Sequence, residues 1–171
     1  LIYDAIHSVA NTLTGENEDK KILETLDYYI KMDVCRLSYN NIYTYIIDNQ
    51  NVGILLAYSS NDVEKLDKPM LEHLRRKNIF LDSFEKECFE DEFYIDTVSV
   101  STSFQGRGIA KELFSFAEQK AKELDFKKLS LLVDFENPKA KALYERLGFK
   151  DNEILKVSGS NFYHMIKQLD L

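Results

Sequence analysis

The chain has 171 residues, 44% hydrophobic and 30% charged, a balance that fits one soluble globular domain with a sizeable core. Its net charge of −7 speaks against a nucleic-acid binder, and no apolar run reaches the length that crosses a membrane. An acidic balance suits a cationic acceptor such as an amine, and equally a surface that uses charge for solubility.

In chain order, Ile2, Ile6, Val9 and Leu13 stand at helical spacing over Leu1–Leu13, and Thr14-Gly15 stops that helix. Asp19–Met32 repeats the pattern with Ile22, Leu26, Tyr29 and Ile30. Ile42–Ile47 and Val52–Tyr58 read as two strands of a hairpin turning at Asp48–Asn51. The stretch Ser59–Asp91 breaks this regularity. Pro69 is expected to open a helix over Met70–Lys77, since proline suits a first turn, and Asp82–Glu92 is dense in acids. This excursion is either a lid or acceptor-site wall, or a surface insertion.

Phe93–Val100 is rich in aromatic and β-branched residues and nearly continuously apolar, which predicts a central strand covered on both faces. Ser101–Gly108 follows with two glycines, Gly106 and Gly108, and Ile109–Leu124 is an amphipathic helix through Ile109, Leu113, Phe116, Ala117 and Leu124. Lys127–Asp134 reads as a buried strand parallel to the first. Asn137-Pro138 opens a helix that Gly148 closes, and Glu153–Val157 with Phe162–Gln168 ends the chain as two strands around Ser158–Asn161. Cys35 and Cys88 read as free thiols of a cytoplasmic protein. They and the scattered His7, His73 and His164 form no metal-ligand spacing, so no metal is expected.

A strand feeding a glycine-rich turn at a helix start is a place to hold phosphate, because unpaired N–H groups and the helix dipole converge there. Gly106 and Gly108 permit positive φ and close approach, while Arg107 and Lys111 supply local positive charge or simply a solvated helix start. Asn137 before Pro138 is placed to cap its helix. Tyr144 lies on an apolar helical face, as a core tyrosine would. Asp96 is an acid inside an otherwise apolar strand; burial would raise its pKa, which suits a base as well as a structural hydrogen-bonding role. A dinucleotide-binding unit fits the strand–glycine–helix outline but fails at its third glycine position, which is Lys111, and at the long Ser101–Gln105 approach.

Gln105-Gly106-Arg107-Gly108-Ile109-Ala110 resembles the Gln/Arg-x-x-Gly-x-Gly/Ala signature of the GCN5-related N-acetyltransferase superfamily. The preceding Val98-Ser99-Val100 sits at that family's usual distance from the loop, and Asn137–Phe149 is similar to its Asn-x-x-Ala-x-x-Leu-Tyr-x-x-x-Gly-Phe helix. The resemblance implies an α/β acyl-CoA N-acyltransferase fold over residues 1–171: a mixed, mostly antiparallel sheet flanked by helices, with a splayed parallel pair at the cofactor site. It also implies a first strand ahead of Leu1, where this chain opens in helix.

By the same resemblance, acetyl-CoA is the cosubstrate. Gln105 to Lys111, with Ile109 and Ala110, cradles its pyrophosphate, Val98, Ser99 and Val100 run along its pantetheine arm, and Asn137 touches it. The Val98 N–H would meet the thioester carbonyl and stabilise an oxyanion. Tyr144 matches the general acid for the departing thiolate, and Asp96 matches the position some members use for a base, with Glu92 or water as alternatives. Another subgroup has a glutamate where this chain has Tyr94. A small-molecule or peptide amine is the expected acceptor, without nucleic acid or membrane, and homodimerisation is an expectation from the resemblance alone. The competing reading is a catalytically silent acyl-CoA-binding or interaction module on the same fold.

Overall fold

Six strands form one sheet in the order β1-β2-β3-β4-β6-β5: β1 Ile42–Ile47, β2 Gln50–Ser59, β3 Phe93–Val100, β4 Lys128–Asp134, β5 Lys150–Val157 and β6 Ser160–Gln168. Among the described residues five α-helices accompany it, α1 Ile2–Thr14, α2 Asp19–Ile30, α3 Val63–Arg76, α4 Ile109–Glu123 and α5 Pro138–Arg146. The computed structural model describes residues 1–170, and of His7 and Ser8 the backbone alone. Every pairing is antiparallel except β3 with β4, which are parallel and joined through α4. Both hairpins turn more tightly than the sequence suggests, through Asp48-Asn49 and Ser158-Gly159, whose positive φ angles match two-residue turns of the right twist.

The sheet buries a cluster on each face. On one side α4 inserts Ile109, Leu113, Phe114, Ala117 and Ala121 against Phe93 and Ile95 of β3 and Leu129, Leu131 and Val133 of β4, with Ala140 and Tyr144 of α5 at the margin. On the other, α1, α2 and α3 pack Ala10, Leu26, Tyr29 and Met70 against Leu56, Tyr58 and Tyr94. The continuous apolar run of β3 is therefore covered on both faces, as read from the sequence.

Pro69 does not open α3; it sits inside it, with the helix starting at Val63. The apolar positions Leu66, Met70 and Leu74 on either side of the proline are all buried, so packing outweighs the missing N–H. Near this break the Leu66 carbonyl accepts the backbone N–H of Arg36 at 3.0 Å.

Two irregularities shape the centre of the sheet. Along β2 and β3, Ala57 pairs with Ile95 but Leu56 pairs with Thr97, so Asp96 is the extra residue of a β-bulge. The bulge shifts the alternation of β3 by one: Phe93 and Ile95 face the α4 cluster before it, and Val98 and Val100 face the same cluster after it. Secondly, β3 and β4 pair only at Phe93–Ile95 with Leu129–Leu131. Beyond those residues β3 continues to Val100 and β4 to Asp134 unpaired with each other, so the parallel pair splays.

Candidate active site

A cavity of about 710 Å³ opens at that splay. Its walls include Ile6, Val9 and Leu13 of α1, which covers one face of the sheet, and Ala140 and Tyr144 of α5, which covers the other. A space touching both helices passes through the sheet, and it does so where β3 and β4 part. Asp96 and Thr97 line it from β3, Leu132–Asp134 from β4, and Asn137 from the start of α5.

The bulge places Asp96 within reach of two hydroxyls. Tyr58 Oη donates to Asp96 Oδ2 at 2.5 Å, and Thr97 Oγ1 donates to Oδ1 at 2.9 Å. Burial pushes the Asp96 carboxyl up to about 6; the Glu87 carboxylate adds to the rise, while Arg36 and the two hydroxyls oppose it. A carboxyl with that value exchanges protons near neutrality.

Beside it lies a polar network that sequence reasoning missed. Arg36 is buried and reaches Asp67 by a two-pronged contact, Nε to Oδ1 at 2.7 Å and Nη2 to Oδ2 at 2.8 Å. Its Nη1 donates to Glu87 Oε1 at 2.7 Å, and Tyr94 Oη donates to Glu87 Oε2 at 2.8 Å. Phe84 covers the guanidinium at 5.5 Å. These contacts bind the Asp82–Glu92 stretch to the body, and Glu85 further accepts the Ser158 N–H of the β5–β6 turn. Leu81, Ser83, Phe84, Glu85 and Glu87 all line the cavity, so the acidic excursion forms one of its walls. The length of the Ser59–Asp91 excursion and its acid-rich composition point to a wall, but no pattern in the sequence pairs Arg36 with Asp67 and Glu87.

Tyr144 stands across the cavity from α1, its ring held by Phe114 at 5.5 Å and Phe149 at 6.2 Å. Its hydroxyl makes no hydrogen bond among the described residues, and burial raises its pKa. Asn137 does cap α5, its Oδ1 accepting the Ala140 N–H at 3.1 Å, and it also lines the cavity. Glu92 is elsewhere: buried, it accepts the Phe89 N–H and meets His164 Nε2, each at 3.0 Å, so this alternative base is a structural tie.

The glycine-rich loop is exposed. Gly106 and Gly108 hold φ of 74° and 82°, and a Cβ on either would meet nothing within 4 Å, so backbone conformation and not crowding calls for glycine. The first backbone bond of α4 runs from the Glu112 N–H to the Gly108 carbonyl at 3.2 Å. The amides of Gly108 to Lys111 have no intrahelical partner, a set of donors at a helix start that fits a pyrophosphate. Gln105 Nε2 donates to the Val100 carbonyl at 3.1 Å, tying the loop to β3. Arg107 folds back, donating to the Ser103 carbonyl at 3.2 Å with its guanidinium over Phe104, whereas Lys111 is exposed. The Ile109 side chain is core, which leaves only its backbone for a ligand. Val98, Ser99 and Val100 are partly exposed on the splayed half of β3, paired on their other side with Leu55, Ile54 and Gly53.

Cys35 and Cys88 are buried free thiols whose pKa values burial raises to about 11 and about 12, so neither is a nucleophile at neutral pH. No helix is long and apolar enough to cross a membrane among the described residues.

The model of the acetyltransferase (GNAT) family matches residues 7–149. An uncharacterized N-acetyltransferase of Bacillus subtilis (strain 168), YycN, is 31% identical over 71 residues, 42% of this chain and 46% of that protein, so the match spans less than half of either. Among solved structures, one described as an acetyltransferase is 29% identical with a TM-score of 0.77, covering 99% of this chain and 93% of that one. An N-acetyltransferase from Staphylococcus aureus Mu50 has the same fold at 23% identity and a TM-score of 0.79, over 96% and 92% of the two chains. A family member from Elizabethkingia anophelis, solved with acetyl-CoA bound, shares the fold at 17% identity and a TM-score of 0.56, over 99% and 91%.

Proposed function

The chain belongs to the acetyltransferase (GNAT) family, and from that premise we propose that it moves an acetyl group from acetyl-CoA to a primary amine by direct attack in a ternary complex. The observation that carries this reading is the cavity through the splayed sheet, with Asp96 on one side and Tyr144 on the other. Donor and acceptor enter such a passage from opposite faces and meet at the splay.

On the donor side, the unbonded amides of Gly108 to Lys111, with Gln105, Gly106 and Arg107 beside them, hold the pyrophosphate. Val98 and Val100 offer backbone groups on the unpaired edge of β3 to the pantetheine arm, with Ser99 between them turned to β2, and the Val98 N–H stabilises the oxyanion on the thioester carbonyl. Asn137 positions the same arm while capping α5. On the acceptor side, Asp96 takes one proton from the ammonium, freeing the nitrogen lone pair to attack the acetyl carbon. As the C–N bond forms and the C–S bond breaks, Tyr144 gives its proton to the departing thiolate. The second proton shed by the nitrogen restores the tyrosine.

The acceptor is a small molecule or a peptide carrying a primary amine, and the acidic wall around Glu85 and Glu87 favours a cation. Incubating the protein with acetyl-CoA and a panel of polyamines, aminoglycosides, lysine-containing peptides and free peptide N-termini, and following thiol release, tests the reading. Amine-dependent thiol release is expected. Tight acetyl-CoA binding with no transfer to any amine would instead identify a silent binding module, and no binding would remove the donor assignment.

A further inference from the structure

Asp96 is the residue displaced by the β3 bulge; its carboxyl is bonded by the Tyr58 and Thr97 hydroxyls and shares its cavity with the Glu87 carboxylate. From β2, the buried Tyr58 hydroxyl donates to Oδ2 at 2.5 Å. From the excursion, Glu87 lines the same cavity, fixed by Arg36 at 2.7 Å and Tyr94 at 2.8 Å. The Tyr58 and Tyr94 rings touch edge to face at 5.7 Å, so the two supports are mechanically joined. Resting on the reading of Asp96 as the base, we propose that Tyr58 and Glu87 are positioning residues for amine deprotonation: Tyr58 orients and stabilises the Asp96 carboxylate, and Glu87 opposes its charge.

The sign of each effect follows from elementary electrostatics. A hydroxyl that donates to a carboxylate stabilises the ionised form, so Tyr58 lowers the pH at which Asp96 loses its proton. A second carboxylate facing the same space disfavours ionisation, so Glu87 raises it. The other charged and titratable neighbours among the described residues are Arg36 and Tyr94, which clamp Glu87, the buried Cys88 thiol beside it, and Asp134, Tyr144 and Glu85 on the other walls of the cavity. Arg36 is already paired with Asp67 on two nitrogens, so it tempers Glu87 without cancelling it. With the two opposing supports, Asp96 is poised to take a proton from an ammonium and to release it to water between turnovers.

Carboxyl-carbon NMR of the intact protein tests this without an acceptor, the Asp96 resonance being assigned by its loss in Asp96→Asn. Tyr58→Phe keeps the ring and removes the donor; the Asp96 midpoint is expected to rise by about one pH unit. Glu87→Gln keeps the shape and removes the charge; the midpoint is expected to fall by about one unit. Thermal melts of both variants confirm that the fold is retained. Unmoved midpoints, or shifts in the same direction, would overturn the proposal. The base reading is separated by rate: with an accepted amine, an Asp96→Asn enzyme that keeps the wild-type pH–rate profile sinks the base, whatever the midpoints do. If instead that variant loses the acidic limb while both midpoints stay put, the base stands and the positioning roles fall.

Discussion

His164 Nε2 lies 3.0 Å from Glu92 Oε2, joining β6 to the residue that immediately precedes β3 across 72 positions of sequence, with both side chains buried. The other ring nitrogen meets Asn152 Nδ2 at 3.2 Å, and the Phe89 N–H donates to the same carboxylate oxygen. This tie anchors the end of the excursion where it feeds the central strand. Glu92→Ala strands a ring nitrogen and an amide in the interior, and is expected to cost roughly 3 kcal/mol in chemical denaturation. Burial alone would raise the Glu92 pKa, but the bonds from His164 and Phe89 outweigh it and hold the carboxyl below its ordinary value. Its contribution is therefore complete above about 4.3, the unfolded value, and is lost as pH falls through the lower folded one. Glu92→Gln should flatten that part of the acid-unfolding curve.

The glycines of the proposed phosphate-binding loop make a different prediction. Because a Cβ at Gly106 or Gly108 meets no atom within 4 Å, alanine there is strained only through its positive φ. Each change is expected to cost about 1–2 kcal/mol, divided between fold stability and the loop conformation that presents the amides. Isothermal titration should show weaker acetyl-CoA binding in Gly106→Ala and Gly108→Ala, with a modest drop in Tm. Unchanged affinity in both would remove this loop from the donor site.

Tyr144→Phe removes one hydroxyl from a ring already held by Phe114 and Phe149. Packing survives, so acetyl-CoA affinity and Tm should hardly move. Turnover should fall by about a hundredfold or more, the usual scale of general-acid assistance. Steady-state kinetics with an accepted amine provide the check, and full activity would place the proton donor elsewhere.

What was legible in the sequence is local. Gly106, Gly108, Asn137, Pro138 and Tyr144 announce themselves because turn, cap and helix-face rules act over a few residues. The strands were legible for the same reason, through composition and period. Pro69 suits a helix start by local rules, but the buried Leu66 and Met70 on both its sides keep it inside α3. The support of Asp96 was invisible because it depends on register: Tyr58 reaches it across 38 residues only through a bulge that no local pattern marks. Arg36 and Glu87, 51 residues apart, meet only once the excursion folds back over the sheet. Even the cavity depends on where two strands stop pairing, which is a property of the pair and of neither sequence alone.

Arg36 joins those distant parts, so its loss should be felt in two measurements at once. Its guanidinium is 4% exposed and satisfies both Asp67 and Glu87. Arg36→Met fills much of the volume but leaves two carboxylates without their cation, and a broken buried pair typically costs about 3–5 kcal/mol. Hydrogen exchange should show the excess opening concentrated in α3, which carries Asp67, and in the Asp82–Glu92 wall, which carries Glu87. The second effect is on Asp96. Arg36 favours its ionised form, so removing the cation raises its pKa beyond about 6 and moves the acidic limb of the pH–rate profile to higher pH. Measured well below the Tm of the variant, the limb separates electrostatics from unfolding. Asp67→Asn loses one charge of the clamp on the far side of the guanidinium and should destabilise α3 while leaving the limb close to wild type. If Arg36→Met lowers Tm yet leaves the limb in place, the cluster serves the fold alone.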